Sequence, residues 1–234
     1  MVDFSGRVVI VTGAAGNLGN AVTRAFQSAG ARLTLVDRAE DRLQRLYPDM
    51  VDSSDYLLAN SVDLTSAEAV QSMVDKTLER FGQIQVLVNT AGGYRAGAPV
   101  HETSLETWDF MLNLNARSVF LVSRAVIPHL LQQRYGKIIN VAARVARQGR
   151  ANMAVYSASK SAVVHLTESM AAELKGEGIN VNCILPSTID TPANRRAMPE
   201  ADYSIWVKPQ AIAEVILFLA SDSASPLHGV AVPV

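Results

Sequence analysis

Short runs of Val, Ile and Leu alternate with longer helix-like segments along nearly the whole chain, and this alternation constrains the fold more than any other feature. The runs are apolar at successive positions, which predicts strands buried on both faces. Such strands need helices above and below them. The pattern therefore predicts an α/β fold with a doubly wound parallel sheet, in a single domain spanning residues 1–234.

The apolar runs predict seven strands, at Arg7–Thr12, Arg32–Asp37, Tyr56–Asn60, Gln85–Asn89, Lys137–Val141, Asn180–Leu185 and Val230–Val234. Helices are predicted at Leu18–Ala29, Asp41–Tyr47, Ser66–Phe81, Leu105–Gln133, Ala154–Leu174 and Pro209–Ser221, with a kink or interruption at Pro128. This order is typical of a Rossmann-like three-layer fold. Ligands of such folds bind beyond the carboxyl ends of the strands, so the residues that follow the strands are the candidate functional residues.

Composition excludes several classes of protein. The formal net charge is −1, from 21 basic and 22 acidic residues, which argues against a non-specific binder of nucleic acid or of anionic membranes. Cys183 is the only cysteine, and the four histidines have no metal-ligand spacing, so we expect no disulfide and no metal site. No long apolar run or signal-like N-terminus is present in the sequence, which predicts a cytoplasmic protein acting on a small molecule.

A glycine-rich turn joins the first strand to the first helix. Gly13, Gly16 and Gly19 follow one another at intervals of three residues, and Asn17 and Leu18 begin the helix. Glycines let the backbone approach a pyrophosphate closely, and the N–H groups of the helix N-terminus attract its charge. The spacing differs from the G-x-G-x-x-G of the general dinucleotide fingerprint, and an ordinary strand–helix turn would use the same residues.

Asp37 ends the second strand, 18 residues after Gly19. A carboxylate at this position can accept hydrogen bonds from both hydroxyls of an adenosine ribose and would repel a 2′-phosphate, so it predicts NADH rather than NADPH. Arg38 offers the opposite alternative, a cation for that phosphate. A solvated aspartate at a strand end is the third alternative.

Two further segments follow strands on the same predicted edge. Asp63 is placed to bond an adenine amino group, and Asn89 to fix the turn backbone near the ribose, next to Ala91 and Gly92. Considered one at a time, these residues are equally typical of local caps.

Tyr156 and Lys160 are separated by four residues in a predicted helix, so the phenol and the ammonium lie on one face. The positive charge favours the phenolate and is expected to lower the tyrosine pKa from about 10 toward neutrality. A tyrosine of this kind can transfer a proton during hydride chemistry. The same spacing also occurs where a half-buried tyrosine merely adjoins a solvated lysine.

Taken together and in order, these motifs resemble the short-chain dehydrogenase/reductase family over nearly the whole chain. The resemblance implies that Tyr156 is the proton donor and that Lys160 holds the nicotinamide ribose and lowers the tyrosine pKa. It also implies that Asn115 holds a water of the proton relay. Pro186, Ile189 and Thr191 match the family segment near the nicotinamide amide and the phosphates.

The chain departs from the family pattern at two informative positions. Asn17 stands where the family usually has its second glycine, and Ala143 stands where a catalytic serine precedes the tyrosine by 13 residues. Removing one donor to a developing oxyanion typically lowers the rate by about 10²–10³. The enzyme is therefore either impaired or acts on a substrate that does not need this hydroxyl.

The segment Leu185–Trp206 resembles the corresponding segment of quinoid dihydropteridine reductases, which also lack the serine. We therefore expect hydride transfer to a small conjugated C=N or C=O substrate, with Tyr94, Ala143 and Trp206 lining its site. The alternatives are a conventional alcohol/ketone dehydrogenase, in which another group replaces the serine, and a catalytically silent NAD(H)-binding sensor.

The predicted helix Ala154–Leu174 is apolar on more than one face. One sheet can cover only one face, so the other predicts a partner helix and a homodimer or homotetramer.

Overall fold

The structure, a computed structural model, describes residues 2–234. Seven parallel strands form one sheet in the order β3-β2-β1-β4-β5-β6-β7. The strands are β1 Val8–Thr12, β2 Arg32–Val36, β3 Tyr56–Ala59, β4 Val86–Asn89, β5 Gly136–Val141, β6 Ile179–Leu185 and β7 Ala231–Pro233. The strand order reverses between β1 and β4, which opens a crevice for a ligand at the carboxyl edge.

Eight helices cover the sheet: α1 Asn17–Ser28, α2 Arg42–Leu46, α3 Ala67–Phe81, α4 Leu105–Leu112, α5 Ser118–Gln133, α6 Ala154–Glu173, α7 Pro192–Ala197 and α8 Pro209–Ala220. Successive residues of β1 point to opposite faces. Val9 and Val11 join a core with α1 and α8, whereas Ile10 joins a second core with α3, α5 and α6. The predicted doubly wound fold is confirmed.

The long helical segment 105–133 is interrupted at a different place from the one predicted. A π-helical turn, Asn113–Arg117, separates α4 from α5, and α5 continues through Pro128. Proline removes the hydrogen bond to the carbonyl four residues earlier, that of Arg124. Both residues are exposed, so water can satisfy this carbonyl and the helix is not broken. The π turn instead brings Asn115 into the interior, where it is fully buried.

By length and composition alone, the stretch Leu105–Gln133 could cross a membrane, and half of its most apolar window is buried inside the protein. Val122, Val126 and Leu130 of α5 pack against the sheet. The apolar residues of this stretch therefore help to build the core.

Candidate active site

The glycine turn folds tightly against the loop that follows β4. Gly13 has a φ of +64°, and a Cβ there would lie 2.8 Å from the Cα of Ala91. A Cβ at Gly19 would overlap the Gly13 carbonyl. These two positions therefore require glycine, for conformation at one and for space at both.

Two threonines fasten this turn to the β4 loop. Thr12 Oγ1 accepts a hydrogen bond from the Ala91 N–H at 3.2 Å, and the Thr90 hydroxyl donates to the Thr12 carbonyl. Asn89 was expected to do this. Its amide instead donates to Asn140 Oδ1 at 2.9 Å, because Asn89 and Asn140 are direct partners in the β4–β5 register and their side chains lie on the same face of the sheet.

A buried tyrosine supports the turn from behind. Tyr47 is fully buried and its hydroxyl donates to the Ala14 carbonyl at 2.7 Å. The turn leads into α1, whose N-cap is Gly16, so no side chain caps the helix. The first N–H groups of α1, at Asn17, Leu18 and Gly19, are therefore suited to an anion.

Asp37 lies beside the turn, as expected of a residue that ends β2. Its carboxylate accepts hydrogen bonds from the N–H groups of Ala15 at 3.3 Å and Ala39 at 3.0 Å. Asp63 accepts from the backbone and hydroxyl of Thr65, and these bonds, helped by the charge of Arg38, lower its pKa. Asp63 therefore stays ionised at neutral pH at the crevice edge.

Tyr156 and Lys160 lie on α6 and are both largely removed from water. Burial raises the pKa of Tyr156 to about 12, with a smaller contribution from Tyr94. Burial also lowers the pKa of Lys160 to about 8, and its ammonium donates to the Val141 carbonyl at 2.9 Å. The expected lowering of the tyrosine pKa is wrong for the chain alone, because burial raises this pKa and the Lys160 charge makes no contribution that lowers it.

Asn115 connects the loop after β4 to helix α6. Its side-chain oxygen accepts from the Gly93 N–H at 2.9 Å, and its amide donates to the Gly93 carbonyl at 3.1 Å and to Ser159 Oγ at 2.9 Å. Ser159 in turn donates to the Tyr156 carbonyl. These contacts make the Asn115 side chain a brace, and its role in a water relay remains a prediction.

Gly92 lies between the Asn115 side chain and the Lys160 ammonium. A Cβ there would lie 2.9 Å from Asn115 Oδ1 and 3.1 Å from Lys160 Nζ. Ala143 is also buried, at 8% exposure, so the position of the family serine is an apolar part of the interior. Tyr94, in contrast, is 58% exposed and contacts the Tyr156 ring edge-on, with the ring centroids 4.9 Å apart.

The segment after β6 follows the carboxyl end of that strand and is held in place by contacts within itself. Pro186 is buried, Ile189 pairs with Val207, and the Thr191 hydroxyl caps α7 by accepting from the Asn194 N–H at 3.1 Å. Trp206 packs on Tyr203 with the ring centroids 4.7 Å apart. Trp206 therefore has a packing partner within the same segment, and its contact with a substrate remains a prediction.

The residues present fit a nicotinamide dinucleotide. The uncapped N-terminus of α1 can bind the pyrophosphate, and Asp37 can accept hydrogen bonds from the ribose hydroxyls. Because Gly92 has no side chain, space remains next to Lys160. Such a cofactor supplies or accepts the hydride when it is bound. With its pKa raised by burial, Tyr156 is a protonated phenol at neutral pH and can donate a proton to a reacting oxygen.

Four residues whose hydrogen bonds hold the site together were not identified from the sequence: Thr12, Tyr47, Thr90 and Ser159. Thr12 carried a usable signal, because it stands directly between the buried strand and the glycine turn. Tyr47 and Ser159 carried none, since their contacts join elements that are distant in the chain.

Comparisons with known proteins agree with this geometry. Residues 7–202 match the short chain dehydrogenase family model. The chain is 33% identical to the 3-oxoacyl-[acyl-carrier-protein] reductase of Thermotoga maritima over 97% of this chain and 95% of that protein. It is also 33% identical to the meso-2,3-butanediol dehydrogenase of Serratia marcescens, over 99% of this chain and 94% of that protein.

Among solved structures, an NAD⁺-bound xylitol dehydrogenase superposes with a TM-score of 0.89 at 30% identity, covering 99% of this chain and 98% of that one. A match of this extent covers the whole fold described above. The chain therefore belongs to the short-chain dehydrogenase/reductase family and is an NAD(P)-dependent oxidoreductase.

Proposed function

We propose that this enzyme uses NADH to reduce a small ketone, or NAD⁺ to oxidise the corresponding secondary alcohol. The observation that carries the proposal is the half-buried Tyr156 phenol, one helical turn from the buried Lys160 on α6, at the edge where the glycine turn and Asp37 also lie. This arrangement provides a proton donor next to a site for a hydride carrier. The names of the relatives above point to the same chemistry, because they specify oxo or hydroxyl compounds.

NADH is proposed over NADPH because of charge. A 2′-phosphate on the ribose would approach the Asp37 carboxylate, and the glycine turn contains no lysine or arginine to compensate. The neighbouring Arg38 is exposed, and its charge contributes to the lowered pKa of Asp63.

A second candidate is reduction of a quinonoid dihydropterin. Hydride addition to this conjugated ring builds no localised oxyanion, which suits a site with Tyr156 but with Ala143 in place of serine. The exposed ring of Tyr94 offers a surface on which a flat pterin could stack. In this reading Tyr94→Ala raises KM more than it lowers kcat, because stacking acts in the ground and transition states alike.

The test is NADH oxidation with three samples: a series of small ketones, a quinonoid dihydropterin, and no substrate. Tyr156→Phe is the matched control, because it keeps the ring and removes the acid; it should abolish most turnover and leave NADH affinity almost unchanged. Ketone reduction that depends on Tyr156 supports the proposal. Pterin turnover above the non-enzymatic rate, without ketone reduction, favours the second candidate, and no turnover at all favours the silent sensor.

The working form is proposed to be a cytoplasmic homodimer or homotetramer. The proposal on assembly rests on α6, whose outward face exposes several small side chains.

A further inference from the structure

We infer that Tyr94 supplies the hydroxyl that Ala143 lacks, donating a second hydrogen bond to the substrate oxygen that Tyr156 protonates. This inference rests on the proposed ketone reduction. It gives Tyr94 a chemical role in addition to that of an aromatic wall.

Tyr94 is placed next to the proton donor. Tyr94 contacts the ring of Tyr156 at a centroid distance of 4.9 Å and an interplanar angle of 83°. Its phenol also raises the pKa of Tyr156 through charge, which indicates that the two hydroxyls lie in the same part of the site. Because Tyr94 is 58% exposed, it remains accessible to a ligand while in contact with the proton donor.

The serine hydroxyls near Tyr156 are either already hydrogen-bonded or buried. Ser159 Oγ donates to the Tyr156 carbonyl, and Ser161 Oγ donates to the Ala146 carbonyl at 2.8 Å. Ser157 is only 6% exposed, so its hydroxyl does not open into the crevice. Tyr94 is the hydroxyl-bearing side chain that contacts Tyr156 from across the crevice.

The backbone on both sides of Tyr94 is anchored by contacts with neighbouring elements. Gly93 is held by two hydrogen bonds to Asn115. The guanidinium of Arg95 lies 3.8 Å from the centroid of the Phe110 ring and 3.5 Å from Glu106. The Gly97 N–H donates to the Asn152 carbonyl at 2.9 Å, which ties this loop to the start of α6. An anchored donor contributes more to catalysis than one that must first be ordered.

The chemistry balances without any further reactant. Hydride from NADH adds to the carbonyl carbon, the C=O π electrons move to oxygen, and Tyr156 transfers its proton to that oxygen to give the alcohol. Tyr94 keeps its proton throughout and only donates a hydrogen bond. Because negative charge develops on the oxygen during hydride addition, this bond strengthens in the transition state, so its loss lowers kcat more than it raises KM.

The test compares Tyr94→Phe, which keeps the ring and removes the hydroxyl, with wild type on the best ketone. We expect kcat to fall about tenfold or more, with KM and NADH affinity changed less than about threefold. Adding Ala143→Ser to Tyr94→Phe should restore most of the lost kcat, because the family hydroxyl then replaces the missing one. Tyr135→Phe is the control: this tyrosine bonds Asp222 just before β5, at the other end of the sheet.

A Tyr94→Phe enzyme with wild-type kcat, or a fall in kcat that Ala143→Ser does not repair, would overturn the inference. If wild type reduces no ketone, the proposed function has failed. The placement of the two hydroxyls is then tested by titration of the phenol absorbance that Tyr156→Phe removes. Tyr94→Phe should shift that ionisation to lower pH, and an unchanged titration would overturn the inference independently of turnover.

Discussion

At the scale of single residues, the buried ammonium of Lys160 lowers the stability of the folded protein at a position that is proposed to take part in the chemistry. Its side chain is 5% exposed, and its ammonium has the Val141 carbonyl as an acceptor but no carboxylate partner. Burial without an opposing charge disfavours the ammonium and lowers its pKa from 10.5 to about 8. The folded chain therefore carries this charge at neutral pH at a cost in free energy of unfolding.

Lys160→Met should therefore make the protein more stable at pH 7, by about 2 kcal/mol after the lost hydrogen bond is subtracted. Below pH 8 both the folded and unfolded wild-type chains hold the proton, and the penalty is complete. Between pH 8 and 10.5 only the unfolded chain still holds it, so wild-type stability rises and the advantage of the variant shrinks. Urea unfolding at pH 7 and at pH 10 measures both values.

Lys137 provides the contrast for this experiment. It is equally buried, but its ammonium donates to Asn180 Oδ1 at 2.7 Å and to Ser225 Oγ at 3.0 Å. Lys137→Met removes the donor to half-buried Asn180 Oδ1, whereas water can replace it at the exposed Ser225, so this variant should lower stability at pH 7 modestly. A Lys160→Met protein that is less stable than wild type at pH 7 would contradict the account of Lys160.

Asp37 governs cofactor choice, also at the scale of one residue. We expect NADH to bind at least about tenfold more tightly than NADPH, a difference of about 1.4 kcal/mol. Asp37→Ser should narrow this ratio mainly by improving NADPH binding, because the repelling charge is removed. Fluorescence titration of both cofactors gives the four affinities. Equal affinities in wild type would make Arg38 a phosphate ligand and reject the argument.

At the scale of elements, residue patterns predicted most of the molecule because buried parallel strands and helical periodicity are local signals. The predicted helix Ala154–Leu174 is found at Ala154–Glu173, and the candidate residues at strand ends lie on one edge. The π turn at Asn113–Arg117 and the short helix α7 were not predicted. The pKa of Tyr156 and the inward direction of Asn89 depend on packing between distant segments, so no local pattern could reveal them.

The glycine turn supports a prediction about a whole element. Gly13→Ala should weaken NADH binding by about tenfold or more and lower stability by about 1–3 kcal/mol, since the new Cβ both adopts a strained φ and meets Ala91. Gly82→Ala is the control, because Gly82 has a φ of +74° but open space around its Cβ position, at the end of α3. It should lower stability modestly and leave NADH affinity unchanged. Similar NADH affinities for both variants would show that the contact with Ala91 does not shape the cofactor site.

At the scale of the whole molecule, α6 connects catalysis to assembly. Its inward face packs Val155, Val163 and Met170 against the protein. The outward face exposes small side chains at Ala154, Ala158, Ser169 and Ala172, which follow helical spacing, together with the polar side chains of His165, Glu168 and Glu173. A stripe of small residues lets a second helix approach closely, so the same helix that carries Tyr156 is expected to lie at the interface between subunits.

We therefore expect wild type to be a dimer or tetramer by light scattering at micromolar concentration. Ala172→Arg should reduce the measured mass of the assembly, because it places a long charged side chain on the outward face of α6. Ala211→Arg is the matched control, because Ala211 is equally exposed but lies on α8, in the opposite layer. It should leave the mass unchanged. Because Tyr156 and Lys160 lie on the inward side of α6, loss of the partner should lower turnover less than Tyr156→Phe does. A monomeric wild type, or equal masses for the two arginine variants, would place the subunit interface elsewhere or remove it.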